Sequence, residues 1–302
     1  MTAGRRLVTL VVFAVAVLGV CAPARAQLTE PFDHLHLAVT DVERARDWYI
    51  RHMGGNEGET SETVAWGKWP VDHPLPIQLH FMLSSDARPS AGSAIDHLGF
   101  SFADLDATVR ALQAAGVKIV RPVEEVPGLW KRAVVEDPWG ATLELVQDPD
   151  ALGLHHVELR VPDPDQALRW YVKAFGGDRT KYKGQIDAVR YRELGVFFLF
   201  AVRDEHAAPA TGHAIDHISF GPIDLDKVVS ALTADSATFT SNPNPRINPG
   251  CRLVQTDGEN GPGGIRRLYC AQPDQLSHRV VYLDGPGGVR IELVQHLEAG
   301  GH

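Results

Sequence analysis

The stretch SAIDHLGFSFADLDATVRAL, Ser93–Leu112, returns 120 residues later as HAIDHISFGPIDLDKVVSAL, His213–Leu232. In both copies a histidine follows an aspartate and begins an alternating apolar run, and a second aspartate precedes a stretch with helical spacing. Alternation with period 2 predicts a β-strand, and apolar residues three and four apart predict an amphipathic helix. The sequence therefore predicts the same strand–helix unit twice, each with a histidine on its strand.

A second set of repeats extends this pattern over most of the chain of 302 residues. HLHLAVTDVERARDWYIRHMGG (His34–Gly55) matches HVELRVPDPDQALRWYVKAFGG (His156–Gly177), and LELVQ at Leu143–Gln147 matches IELVQ at Ile291–Gln295. Within each half the order strand, helix and three further strands occurs twice. The chain is therefore predicted to be an α+β protein made of four βαβββ modules.

These modules predict a first domain at 32–150 and a second at 153–297, with an insertion near 240–281 in the second. Asp41 is expected to cap the first helix, and Gly54 is expected to end it.

Strand alternation predicts an open cup in each half. Helices cover the strand face that carries the leucines and valines, so the opposite face is left to line the cup. The polar residues expected on that face are His34, His97 and Glu144 in the first half, and His156, His217 and Glu292 in the second.

Two imidazoles and a carboxylate in one cup need partners, because each would cost several kcal/mol if it were buried unpaired. A divalent metal satisfies all three groups, and two histidines with one carboxylate leave coordination positions open for a substrate. The alternative is that these histidines are core residues with ordinary hydrogen-bond partners.

The motifs together resemble those of the vicinal oxygen chelate superfamily, which includes glyoxalase I, extradiol dioxygenases and the fosfomycin and bleomycin resistance proteins. The residues that carry the resemblance are DHLHLAV-x-D, AIDHLGFSF-x-DLD and DPWGATLELV in the first half, and HHVELRV-x-D, AIDHISF and GPGGVRIELV in the second. The resemblance implies two tandem glyoxalase-like domains. It also implies that the six cup residues are metal ligands, in the groups His34, His97 and Glu144, and His156, His217 and Glu292.

The resemblance implies a further ligand on the last strand of the first module, where this chain has Gln78 within Ile77-Gln78-Leu79. The corresponding segment of the second half, VFFLF around Phe197 and Phe198, offers no ligand. The family chemistry acts on a small substrate that chelates a divalent metal (Fe, Mn, Ni or Zn) through two neighbouring oxygens.

The function expected from this resemblance is a metal-dependent lyase, isomerase or ring-cleaving dioxygenase. The alternative is a non-catalytic module that sequesters a metal or a small molecule. The dioxygenase pattern is only partly met, because Gly285 stands where an acidic residue is expected. His36 and His80 are the candidate catalytic bases in the first half, and a packed or solvated histidine is the alternative for each.

Three charged residues lie on the ligand-bearing strand faces of the second half: Glu158, Arg160 and Arg290. They are candidates for binding an anionic substrate. Alternatively, Arg290 would pair with Glu292 and displace the metal.

The first 26 residues are predicted to be a signal peptide, so the mature protein is expected in the periplasm or secreted. The prediction rests on a basic start, an apolar run at Leu7–Val20 and the sequence Ala24-Arg25-Ala26. The alternative is a transmembrane anchor, but 14 apolar residues are fewer than the ~20 that span a bilayer.

Cleavage after Ala26 would remove three arginines and lower the formal net charge from −9 to −12. That charge argues against nucleic acid or an anionic membrane surface as a partner, and leaves a small-molecule substrate. Cys251 and Cys270 would remain, either as a disulfide worth roughly 3 kcal/mol or as two separate thiols.

Overall fold

A computed structural model of the chain describes residues 32–58, 60–66, 77–191, 197–222, 224–240, 251–255, 266–270 and 278–296. The predicted signal peptide, Met1–Ala26, lies outside these residues. In the described part of the chain no helix is both long and apolar enough to cross a membrane.

Four βαβββ modules follow one another along the chain, which confirms the predicted architecture. Module 1 contains β1 (His34–Val39), α1 (Val42–Met53), β2 (Asn56–Glu57), β3 (Thr63–Trp66) and β4 (Ile77–Leu83). Module 2 contains β5 (Ile95–Ser101), α2 (Leu105–Ala114), β6 (Lys118–Val126), β7 (Trp130–Glu136) and β8 (Thr142–Val146). Module 3 contains β9 (Gly153–Val161), α3 (Pro164–Phe175), β10 (Asp178–Tyr182), β11 (Ile186–Tyr191) and β12 (Phe197–Arg203). Module 4 contains β13 (Ile215–Phe220), α4 (Leu225–Ala234), β14 (Thr238–Thr240), β15 (Cys251–Gln255), β16 (Arg266–Cys270), β17 (His278–Asp284) and β18 (Arg290–His296), with a 3₁₀ turn at Pro286–Gly288.

Every module starts its helix with the same device, an aspartate seven residues after the first-strand histidine. These N-cap residues are Asp41, Asp104, Asp163 and Asp224. Each has extended backbone, and its carboxylate accepts a hydrogen bond from the backbone N–H three residues later. Helix α1 ends at Gly54, whose φ of 71° is the left-handed conformation that glycine adopts without strain.

The strands form two sheets, and each sheet takes one module from each half. The first sheet has the order β15-β16-β17-β18-β13-β1-β4-β3-β2, with β14 paired to β17, and combines modules 1 and 4. The second has the order β10-β11-β12-β9-β5-β8-β7-β6 and combines modules 2 and 3. The expectation that each half builds its own cup is therefore wrong: β1 pairs with β13, and β5 pairs with β9.

The reason lies in the two linkers that join the modules within each half, 84–94 and 204–214. These linkers run side by side and exchange backbone hydrogen bonds in two matching pairs. Arg88 N–H donates to the Gly212 carbonyl (3.0 Å) and Ala208 N–H donates to the Gly92 carbonyl (3.0 Å). Ala214 N–H donates to the Arg88 carbonyl (2.7 Å) and Ala94 N–H donates to the Ala208 carbonyl (2.7 Å). With the linkers paired in this way, module 2 joins the sheet of module 3, and module 4 joins the sheet of module 1.

A single apolar core joins all four modules on the helix-covered face. The first strand of each module contributes a fully buried residue to it: Leu35, Leu98, Val157 and Ile218. Phe32 extends this core between modules, because its ring packs 4.7 Å from Phe197 and 5.4 Å from Phe220, centroid to centroid. The core therefore depends on contacts between the halves as well as within them.

In the predicted insertion, the hairpin β15–β16 places Cys251 directly opposite Cys270 on antiparallel strands. Directly opposed residues of an antiparallel pair have Cα atoms about 4.5–5.5 Å apart, which a disulfide can bridge. The disulfide itself stays a prediction.

Replacing Phe32 by alanine should lower the free energy of unfolding by about 3–5 kcal/mol, because Phe32 is 1% exposed and fills the space between modules 1, 3 and 4. Urea denaturation followed by circular dichroism measures this change. Leu152→Ala is the control, since Leu152 is 59% exposed and should change stability by less than about 0.5 kcal/mol. Equal effects of the two substitutions would contradict the shared core.

Candidate metal sites

Site 1 lies where modules 1 and 4 meet on the open face of the first sheet. His34 and His36 come from β1, His217 from β13 and Glu292 from β18, and one ligand atom of each lies within 4.8 Å of the others. The Nε2 atoms of His34 and His217 lie 3.0 and 3.4 Å from Glu292 Oε2. His34, His217 and Glu292 are at most 5% exposed.

Site 2 lies at the matching place between modules 2 and 3. His97 comes from β5, Glu144 from β8 and His156 from β9, and their ligand atoms also lie within 4.8 Å of one another. His156 Nε2 lies 3.3 Å from His97 Nε2 and 3.4 Å from Glu144 Oε2. The site thus contains two imidazoles and one carboxylate.

All six predicted ligands therefore lie in two clusters, but the predicted grouping is wrong. The resemblance implies one group of His34, His97 and Glu144 and another of His156, His217 and Glu292. The structure instead exchanges His34 and His156 between the sets, because each sheet combines modules from both halves. The two histidines that follow the repeated Ala-Ile-Asp remain in separate sites.

At site 1, polar partners fix the orientation of the converging groups. Asp33 lies 2.5 Å from Nδ1 of His34, Asp216 lies 2.7 Å from Nδ1 of His217, and the Tyr282 hydroxyl donates to Glu292 (2.8 Å). Carboxylates on Nδ1 turn each Nε2 toward the centre, which is the arrangement found around metal-binding histidines.

Site 2 repeats part of this arrangement. Asp96 lies 2.9 Å from Nδ1 of His97, and Arg132 donates to Glu144 (3.1 Å). These partners were not among the residues predicted from the sequence, although the Asp-His dipeptides at 33–34, 96–97 and 216–217 indicate three of them.

The electrostatics of site 1 show that its groups need a positive charge. Burial alone would lower the pKa of His34, but hydrogen bonds to Asp33 and Glu292, and their negative charge, raise it to about 9. Burial would raise the pKa of Glu292, yet hydrogen bonds from His217 and His34 hold it well below its usual value. Burial lowers the pKa of His36 well below its usual value, and His217 and His34 lower it further.

Site 2 follows the same pattern. Burial would lower the pKa of His97, but Glu158, Asp96 and Glu144 raise it to about 9. Burial lowers the pKa of His156 to about 3. The pKa of Glu144 falls to about 2 despite burial, because the positive charges of His97 and Arg132 stabilise its carboxylate.

The donor set at each site fits a divalent metal. Without a metal, the positive charge of a protonated imidazole balances the charge of the buried carboxylates. A cation bound by Nε2 and carboxylate oxygens would supply the same positive charge. At site 1 the Nδ1 atom of His36 is also buried, with no hydrogen-bond partner among the described residues.

The strand register corrects the expected fourth ligand. Glu144 lies opposite Gly99, and Glu292 lies opposite Ser219. Gly99 and Ser219 each stand two residues after the first-strand histidine of their module. The equivalent residue of module 1 is His36, and the residue opposite His36 is His80, whereas Gln78 lies opposite His34. His80 therefore occupies the position of the two glutamates.

The environment of His80 and Gln78 agrees with this register. The His80 ring is stacked on that of His34, with 3.8 Å between centroids and 4° between planes. The Oε1 atom of Gln78 is buried without a hydrogen-bond partner among the described residues. In module 3 the equivalent position is Phe200, opposite Glu158, so site 2 has no fourth ligand at this position.

The three charged residues expected in one cup belong to different sites. Arg290 forms an ion pair with Asp216 (2.5 Å) beside site 1. Arg160 and Glu158 lie next to site 2, where Arg160 lies 2.8 Å from Asp96 and Glu158 lies 3.7 Å from Nδ1 of His97.

The sequence profile of the Glyoxalase/Bleomycin resistance protein/Dioxygenase superfamily matches residues 32–145 and 153–293. The chain belongs to this superfamily. The match confirms the resemblance read from the histidine motifs, and it covers both copies of the repeat.

Curated relatives carry names of the same family, and a solved structure shares the fold. The chain is 27% identical over 231 residues to "Probable lactoylglutathione lyase, chloroplastic" from Arabidopsis thaliana, covering 70% of this chain and 65% of that protein. It is 34% identical over 179 residues to "Lactoylglutathione lyase GLX1" from the same plant, covering 54% of this chain and 62% of that protein. The chain therefore spans less than two thirds of the length of these relatives. Glyoxalase I from Zea mays has the same fold, with a TM-score of 0.60 at 18% identity over 87% of this chain and 92% of that one.

Gly99→Ala should displace the His156 ring, because a Cβ at position 99 would lie 2.0 Å from Cε1 and 2.1 Å from Nδ1 of His156. Such overpacking should cost about 1–3 kcal/mol of stability, measured by urea denaturation. Ser219→Ala, at the equivalent position of site 1, is the matched control and should have a smaller effect. A Gly99→Ala protein with wild-type stability and an unmoved His156 ring in its crystal structure would contradict this packing.

Proposed function

We propose that the chain is a divalent-metal-dependent enzyme of the glyoxalase/dioxygenase type, acting on a small substrate that chelates the metal through two neighbouring oxygens. The observation that carries this proposal is the convergence, at two equivalent places, of two buried imidazoles and a carboxylate whose outer atoms are held by further polar groups. Core histidines with ordinary partners do not need such convergence.

His34, His217 and Glu292 would hold the metal at site 1, with His80 as the fourth ligand. His97, His156 and Glu144 would hold it at site 2. A donor set of imidazole nitrogens and carboxylate oxygens suits Fe, Mn, Ni or Zn. When bound, the cation supplies Lewis-acid stabilisation of negative charge on the substrate oxygens.

The lyase or isomerase class is favoured over ring cleavage, because the two curated relatives described above are named as lactoylglutathione lyases. Such a reaction needs a group that accepts a proton beside the metal. His36 suits this role at site 1, because its ring lies 4.3 Å from that of His217 and its buried Nδ1 atom is unpartnered among the described residues. His80, the other candidate base, is better explained as a ligand.

Site 1 is proposed as the main catalytic site. It has a ligand at the fourth position and an imidazole next to the centre. Site 2 has Phe200 at that position, and buried aromatic side chains pack around His156: the Phe200 ring is stacked 4.5 Å from it and Trp130 lies 5.8 Å away. These side chains restrict the room for a substrate at site 2.

We also propose that the protein is exported, on the basis of the apolar run and the A-x-A sequence before Gln27. In a bacterial host the mature protein should be recovered from the periplasm with Gln27 as its first residue, as N-terminal sequencing would show. Full-length protein that stays in the cytoplasm and begins at Met1 would contradict export.

Elemental analysis of the purified protein should find two equivalents of a divalent metal per chain. His217→Ala and His97→Ala should each remove one equivalent, and the double variant both, since the two sites share no residue and should act independently. His206→Ala is the control, because His206 is exposed and lies outside both sites.

Turnover can be tested separately with a hemithioacetal formed from a 2-oxoaldehyde and a thiol. Product formation without consumption of oxygen, lost in His217→Ala and largely kept in His97→Ala, would support isomerase chemistry at site 1. Metal that remains at two equivalents in both single variants would contradict the proposed sites.

A further inference from the structure

Module 3 differs from the other modules in the residue that precedes its metal-site histidine. Modules 1, 2 and 4 have Asp33, Asp96 and Asp216 there, each 2.5–2.9 Å from Nδ1 of the following histidine. In module 3 this place is taken by His155, whose Nδ1 atom lies 2.8 Å from Nδ1 of His156. An imidazole therefore stands where the other modules have a carboxylate.

A carboxylate is present on the far side of His155. Asp148 Oδ2 lies 3.3 Å from His155 Nε2, and the same carboxylate accepts a hydrogen bond from the Tyr182 hydroxyl. Asp148 is itself fixed, because its backbone N–H and carbonyl are both bonded to the Ser101 hydroxyl (3.0 and 2.7 Å). Asp148 is 3% exposed, and His155 and His156 are fully buried, so water does not replace these partners.

The geometry points to Asp148 and His155 as positioning residues that hold His156 in the orientation and tautomer needed at site 2. The Asp148 carboxylate only accepts hydrogen bonds, so His155 carries its proton on Nε2 and donates it to Asp148. His155 Nδ1 is then an acceptor, and His156 donates to it from Nδ1. The Nε2 atom of His156 is thus left unprotonated, facing His97 Nε2 at 3.3 Å.

These two hydrogen bonds orient His156 at site 2, as a single aspartate orients the metal-site histidine in each of the other modules. The positioning role deepens the proposed function, since it assumes a role for His156 as a ligand. The proton positions, however, are a property of the metal-free protein and can be tested without any metal.

Nitrogen-15 NMR of the imidazole rings in the metal-free protein reports the tautomers directly. In the wild-type chain His156 should be protonated on Nδ1 and His155 on Nε2. His155→Leu, which removes the acceptor and keeps a buried apolar side chain of similar size, should shift His156 toward the Nε2-protonated form. The double variant His155→Asp/Asp148→Asn places one carboxylate where the other modules have theirs, and it should restore the Nδ1-protonated form.

Zinc titration gives the second readout, carried out in a His217→Ala background so that site 2 is observed alone. His155→Leu should weaken zinc binding by about 10- to 100-fold, and the double variant should recover most of the loss. Asp150→Asn removes a carboxylate from an exposed position of the same loop as Asp148 and should leave zinc binding unchanged.

The outcomes separate the two proposals. A wild-type His156 protonated on Nε2, or a His155→Leu protein with unchanged tautomer and unchanged zinc affinity, would overturn the positioning role. An Nδ1-protonated His156 that shifts in His155→Leu, in a chain that binds no zinc at site 2, would support the positioning role and contradict the metal site. Loss of stability alone in His155→Leu, without a tautomer change, would show that His155 is only a packing residue.

Discussion

The pairing of the two linkers is the constraint on which both sites depend. Residues 84–94 and 204–214 bind each other through backbone hydrogen bonds that come in two matching pairs. With the linkers paired in this way, β1 lies beside β13 and β5 lies beside β9, and each site receives candidate ligands from both halves of the chain. Neither half has a complete set: the first contributes His34 to site 1, and the second contributes His156 to site 2.

Burial of charge is the second constraint. Each site brings a carboxylate and imidazoles out of water, which is costly unless their charges are balanced. Asp33 and Asp216 orient the histidines of site 1, and Arg290 balances the charge of Asp216. The charges of Asp33 and Glu292 are left to be balanced by a protonated imidazole or a cation at the centre. The same reasoning explains why the pKa of His34 and that of His97 rise to about 9 although burial alone would lower them.

The two sites then differ in what surrounds them. Site 1 has His80 at the fourth position and His36 beside His217, with 4.3 Å between the ring centroids of the last two. Site 2 has Phe200 at the fourth position and an aromatic cluster around His156. Duplicated modules have thus kept the ligand geometry while their neighbouring residues diverged, and this divergence supports different roles for the two sites.

The sequence predicted the four modules, because strand alternation and a capping aspartate occur in each copy. It also placed all six candidate ligands on the open face. It could not predict which modules share a sheet, because the repeats are equivalent and the choice depends on backbone bonds between distant linkers. It placed the candidate fourth ligand at Gln78, whereas the register gives His80 the position of the two glutamates. Residues two apart lie on the same face, and only the pairing of β4 with β1 distinguishes them.

Anomalous diffraction from crystals of the metal-loaded protein will show whether each metal site combines ligands from both halves. Two anomalous peaks per chain are expected, one bounded by His34, His217 and Glu292 and the other by His97, His156 and Glu144. Peaks at other places, or a single peak whose ligands all come from one half of the chain, would contradict this expectation.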